Sequence, residues 1–132
     1  MAVYTEIIKL KTKSQKIYNI TNKVEEIVRS SDIEDGLCLV FVPGSTGAIL
    51  LNEDDPMLLE DLKDVLEHIA SKETLWHHPE NAHSHIRASL IGSEKLIPVH
   101  AKKLVLGQWQ DIMFCEFDTR SRERQVIVSV IG

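Results

Sequence analysis

A chain of 132 residues and 15.0 kDa is sized for one compact domain with a core of its own. Apolar residues make up 43% and charged residues 27%, an ordinary balance for a globular protein, and a net charge of −5 leaves no general basic face for nucleic acid or an anionic membrane. No apolar run reaches the length of a membrane span and the first residues carry no signal-peptide pattern, so the expected location is the cytoplasm.

Thr5 to Thr12 alternates, with Ile8 and Leu10 on one side and Lys9 and Lys11 on the other, and reads as a strand. Ser14 is placed to cap a following helix in which Ile17, Ile20, Val24, Ile27 and Val28 recur at helical spacing. Ser30 to Asp32 end it, and Asp35-Gly36 is a turn. Leu37 to Val42 is a continuous apolar run, read as a strand buried on both faces. Its Cys38, like Cys115 later in the chain, reads as a reduced core thiol. Pro43-Gly44-Ser45-Thr46-Gly47 interrupts the run before Ala48 to Leu51 resumes it as a strand.

Asn52 to Asp55 leads into Pro56, which suits the first position of a helix. The expected buried stripe of that helix is Leu58, Leu62, Val65, Leu66 and Ile69. After a histidine-rich stretch, Leu96 to Val99 and Leu104 to Leu106 are short apolar segments. Gln108 to Asp118 reads as a long strand, with Gln110, Ile112, Phe114, Glu116 and Asp118 sharing one face. Thr119 to Arg124 is a basic turn, and Val126 to Ile131 closes the chain as a core strand. About two helices and seven or eight strands, without repeats or linkers, define a single α+β domain over residues 1–132.

Four of the six histidines, His77, His78, His83 and His85, fall in one short stretch. His83-Ser84-His85 on a strand would aim two imidazoles at one ion, and His78 could supply a third ligand, leaving a position open for water or substrate. Ordinary surface histidines give the same pattern. Glu116 and Asp118 read either as an acid–base or positioning pair or as a solvated strand edge. Arg120, Arg122 and Arg124 suit bidentate phosphate contacts, or are simply an exposed basic turn. The Gly44–Gly47 loop offers backbone N–H groups and the hydroxyls of Ser45 and Thr46 to an anion, or is a plain turn. Asn52 closes the strand that follows. Together these residues suggest a polar pocket for a small anion.

Three motifs occur in a telling order. They are Val42-Pro43-x-Ser45-Thr46 with Asn52-Glu53-x-Asp55-Pro56, then His78 to Gly92 (HPENAHSHIRASLIG), then Leu106-Gly107-x-Trp109-Gln110 through Glu116-Phe117-Asp118. In this order the chain resembles the YjbQ family, also called UPF0047, from about Thr5 to Gly132. The resemblance implies a β-sandwich-like α+β domain with mixed sheets flanked by about two main helices, assembling as a homotrimer. It implies thiamine-phosphate synthase activity, joining a pyrimidine diphosphate to a thiazole phosphate. It also implies a divalent metal, zinc or magnesium, and a small phosphorylated ligand, with neither nucleic acid nor membrane as partner.

Carried over position by position, the resemblance makes His85, Glu116 and Asp118 the expected catalytic residues. Ser45, Thr46, Asn52, Asn81, Arg122 and Arg124 would bind the anion, and His78, His83 and His85 the metal. Two departures stand out. Where the family has His-Thr-Thr-Ala, this chain has Gly44-Ser45-Thr46-Gly47, so one imidazole is missing. Where the family has Asp-Gly-Pro-Arg, this chain has Asp118-Thr119-Arg120-Ser121-Arg122, one residue longer. The alternative expectation is a non-catalytic trimer that binds a small anion or metal in a degenerate site.

Overall fold

The alternation that begins the chain produces the longest ladder of the fold. A computed structural model describes Met1–Gly132. In chain order its elements are β1 (Val3–Thr12), β2 (Ile17–Asn19), α1 (Thr21–Ser31), β3 (Gly36–Phe41), β4 (Gly47–Asn52), α2 (Pro56–Ile69), α3 (Ala82–Ile91), β5 (Glu94–His100), β6 (Lys103–Leu104), β7 (Asp111–Glu116) and β8 (Arg122–Ile131). Five strands form one sheet in the order β1-β8-β3-β5-β6, and three form a second in the order β2-β7-β4. Every strand pairing is antiparallel.

The sheets face each other across a core of β-branched and aromatic side chains. Ile8, Val40, Val126, Val128 and Val130 come from the larger sheet, Ile49, Ile112 and Phe114 from the smaller. Helix α1 closes one end of this interior with Ile20, Val24, Ile27 and Val28. The other face of the smaller sheet presents Ala48, with Cys115 and Phe117, to Leu66 of α2 and Ala88 of α3. Strand β7 is thus the middle layer, buried on both faces as a continuous apolar strand requires. Cys38 and Cys115 are buried, unpaired thiols, and burial pushes both up to about 12.

The α+β single domain and its paired sheets stand as expected, with a third helix and some local differences. Ser14 does not cap a helix: its hydroxyl donates to the Asp118 carbonyl (2.5 Å), and Ile17–Asn19 pairs with β7 instead. The helix begins later, where the Asn19 side chain accepts from the Thr21 backbone N–H (3.0 Å). Residues 108–110 turn rather than extend, tied by the Gln110 backbone N–H donating to the Gly107 carbonyl (3.1 Å), which leaves Trp109 exposed. Helix α2 starts as expected, with Asp55 accepting from the Leu58 N–H (2.9 Å) ahead of Pro56. Of its stripe only Leu66 is fully buried, and Val65 and Ile69 are exposed. No helix is long and apolar enough to cross a membrane.

The largest departure is α3. The histidine stretch is not a strand but a helix, opened at Asn81 and stopped at Gly92, whose φ of 97° suits a residue without a side chain. Ala82, Ala88 and Leu90 favour the helix, and Ala88 packs it onto the smaller sheet.

Candidate functional site

At the end of the sandwich away from α1, the inward-facing position of β7 is occupied by a carboxylate. Glu116 is fully buried, so it needs a buried cation, and Arg124 on the facing β8 supplies one. Arg124 Nε donates to Glu116 Oε1 (2.8 Å), and its Nη2 donates to Oε2. Thr12 of β1 donates its hydroxyl to Glu116 Oε1 (2.6 Å), and the Asp118 N–H reaches Oε2 (3.2 Å). Every side of this carboxylate is taken. The expectation of Glu116 as an acid or base is therefore corrected: it holds Arg124 in place across the two sheets.

Two residues on, Asp118 is also buried, and Arg122 Nη1 donates to its Oδ2. The Thr46 hydroxyl donates to the same oxygen (3.2 Å) while accepting from Arg124 Nη2 (2.8 Å). Burial works to raise the Asp118 pKa. The Thr119 N–H (2.7 Å to Oδ1), Arg122 and Thr46 overcome it and hold the group below the ordinary carboxylate value. Asp118 is a fixed anion, not a proton carrier, and the Thr46 hydroxyl is engaged on both sides.

These contacts shape a pocket of about 480 Å³ without an apolar wall. The Gly44-Ser45-Thr46 loop forms one side, Asp118 to Arg120 with Arg122 and Arg124 another, and Glu80, Asn81 and His85 a third. Gly44 has φ 110°, and a Cβ built on it would lie 3.1 Å from Arg124 Nη1. The absence of a side chain at Gly44 thus lets Arg124 lie against the loop backbone. A histidine here would be strained and would press on Arg124. Gly47 has a different constraint: a Cβ would come within 2.8 Å of the Phe114 ring.

Helix geometry separates the histidines. Residues two apart on a helix point about 200° apart, so His83 and His85 face opposite ways. His85 lines the pocket just described, next to Asn81 one turn earlier. His78 packs edge-on to His85, with ring centroids 5.3 Å apart, and its Nε2 lies 3.0 Å from Asn81 Oδ1. His83 and Arg87, one turn apart, line a separate cavity on the far side of α3. No group of three or more potential His, Cys, Asp or Glu ligands gathers in the chain. The expected three-histidine metal site is therefore not formed by these residues within one chain, and no step is derived through a metal.

The structure brings Ser45, Thr46, Asn81, His85, Asp118, Arg122 and Arg124 around one pocket, with Glu116 behind it. It leaves out His83 and also Asn52, which sits at the opposite end of β4 and accepts from its own Glu53 N–H (2.8 Å). Sequence reasoning missed Thr12, Gln15 and Arg87. Arg87 donates to the Ala70 carbonyl at the end of α2 (Nε, 3.1 Å), to Gln15 Oε1 (Nη1, 3.2 Å) and to Glu67. One guanidinium thereby pins two helices and the β1–β2 turn. Its visible signal was the single arginine of the segment, one helical turn after His83.

Fold and site define a two-sheet antiparallel α+β protein with a polar, arginine-lined pocket at the open end of its sandwich. The chain belongs to the UPF0047 YjbQ-like family, whose sequence profile matches residues 6–132. A UPF0047 protein of Archaeoglobus fulgidus is 40% identical over 126 residues, covering 92% of this chain and 97% of that one. One from Methanothermobacter thermautotrophicus is 38% identical over 136 aligned positions, covering 100% and 94%. The crystal structure of a Sulfolobus solfataricus relative, described as YbjQ-like and of unknown function, superposes with a TM-score of 0.90 at 34% identity, covering 99% of each chain. An uncharacterized family member from Clostridium acetobutylicum gives 0.90 at 40% identity, covering 96% of this chain and 99% of that one.

Proposed function

We propose that the pocket beside Gly44 holds the phosphate group of a small phosphorylated molecule. Arg124 carries the reading. Its guanidinium is anchored through Nε and Nη2, and Nη1 is left toward the Gly44 backbone, where no side chain intervenes. A cation fixed in advance by a buried carboxylate loses little freedom on taking up an oxyanion. Arg122, bound to Asp118 through Nη1 alone, and the exposed Arg120 and Ser45 add donors on the same rim. Calorimetric titration of inorganic phosphate and pyrophosphate tests this. Saturable binding, weakened about tenfold by Arg120→Ala, is expected for loss of a charge-assisted contact. Absence of binding by the wild type would remove the reading.

Thiamine-phosphate synthase activity is the finer reading, favoured by His85 and Asn81 standing on the wall opposite the arginines. In it, the thiazole nitrogen forms a bond to the pyrimidine's methylene carbon as the C–O bond to pyrophosphate breaks. The arginines would stabilise the leaving pyrophosphate, and His85 would be the group able to exchange a proton. Incubation with both substrates and magnesium, with detection of thiamine phosphate, decides between this reading and a non-catalytic anion-binding protein. Elemental analysis of the purified protein tests the divalent metal.

We also propose the homotrimer, with the outer face of the larger sheet as its interface. The outward residues run in cross-strand rows: Val3, Ile131, Leu37 and Pro98, then Thr5, Ser129, Leu39 and Leu96, then Ile7, Ile127 and Phe41. Val3, Ile7, Leu37 and Leu96 are exposed, an apolar continuity unusual on a monomer. Copies of the same chain suit this face because its first two rows carry no charge, Thr5 and Ser129 being paired with each other (2.9 Å), while Glu94 and Lys9 stand only at its margin.

A further inference from the structure

On the far side of α3 lies a second cavity, of about 440 Å³, that no apolar side chain lines. It opens between α2, the segment that follows it, and α3, and touches the first pocket only at Thr119. His83 stands in its wall with 8% of its surface exposed, and neither ring nitrogen has a hydrogen-bond partner in the protein. Neither nitrogen is among the chain's buried, unpartnered atoms, so the ring opens onto the cavity, where an imidazole held by no protein group is free to take a ligand. Lys63 and Lys72 border the same cavity, and neither enters any ion pair of the chain.

The chemistry of the walls selects the sign of that ligand. Arg87 is consumed by the Ala70 carbonyl, Gln15 and Glu67, so it shapes the floor instead of binding. Glu67 is in turn held by Arg87 and by the Ser71 hydroxyl (3.0 Å). Only Asp64 remains as a carboxylate without such a partner, against two ammonium groups. A cation would find too few oxygens. An oxyanion finds two lysines and an imidazole N–H, while the Ser14 and Thr119 hydroxyls at the rim are turned to Asp118. We propose that this cavity is a second small-molecule site, in which Lys63, Lys72 and the His83 imidazole hold a phosphate or carboxylate group. It stands independently of the pocket beside Gly44, since α3 and the Asp118–Thr119 corner separate them.

Histidine imidazole resonances followed by NMR during separate titrations of inorganic phosphate and acetate test the site. The His83 resonance, assigned through His83→Gln, is expected to shift saturably with phosphate or with acetate, and whichever does so names the oxyanion. In the double variant Lys63→Ser/Lys72→Ser, whose side chains lie at the surface, the apparent affinity should fall about tenfold or more. Arg120→Ala should leave the His83 titration unchanged while weakening the first pocket, so failure of one site is distinguishable from failure of the other. A His83 resonance that responds to neither anion, or that titrates identically in the double lysine variant, would overturn the proposal.

Discussion

Glu116 and Arg124 show how much one buried pair can fix. The carboxylate is fully buried and the guanidinium nearly so, and each would be an uncompensated charge without the other. Arg124→Ala is expected to lower stability by about 3–5 kcal/mol, the range for removing one partner of a buried pair. Replacing both, as Glu116→Gln with Arg124→Met, should cost less than the sum, because no charge is then left stranded. Urea unfolding of the three variants measures this, and equal, additive losses would mean the pair is not coupled. The residues were legible as charges in the sequence, but their roles were not. Alternation along β7 put Glu116 on the same face as Ile112 and Phe114, a correct sign that it points into the core. What the chain alone could not supply was the arginine on a strand of the other sheet.

At the scale of elements, α3 decides the architecture of both cavities. Read as a strand, His83-Ser84-His85 would chelate one ion; as a helix, it sends His83 and His85 to different sides. The helical signs were present in Asn81 before the run, Gly92 after it and alanines between, but the short His-x-His pattern outweighed them. Burial of His83, then the positive charge of Arg87 and Lys72, depresses its pKa from the ordinary 6.5, against the opposing pull of Glu67 and Asp118. Protonation is thus harder in the folded chain than in the unfolded one. Its contribution is complete above pH about 6.5 and is lost as pH falls from there toward the depressed folded value. Thermal melts from pH 7.5 to 5 should show Tm falling below about 6.5 in wild type, and less steeply in His83→Gln. A profile unchanged by the substitution would assign the effect elsewhere. Asp118 works in a lower window: its stabilisation is lost only as pH drops below the ordinary 3.8.

Over the whole molecule, the two sheets divide their faces unevenly. The smaller sheet is covered on both sides, while the larger sheet leaves Val3, Ile7, Leu37 and Leu96 exposed. If three copies close over this face, light scattering of the wild type should give about three times 15.0 kDa. Leu37→Lys with Leu96→Lys should then give single chains with unchanged circular dichroism, because both side chains point away from the core. A wild-type mass of one chain would remove the interface. Such a face was difficult to see beforehand, since an exposed alternate row of leucines reads in sequence as part of a doubly buried strand.

The sequence by itself determined the family, the α+β class, nearly all the strands and the start of α2, because those rest on local alternation, capping and motif order. It also marked most members of the first pocket, whose residue types are rare together. Tertiary structure alone decided which way each of them faces. Helix phase parted the histidines, sheet stacking joined Glu116 to Arg124, and the left-handed turn at Gly44 let an arginine lie against its backbone. These are contacts between segments far apart in the chain, and no local pattern encodes the direction in which they meet.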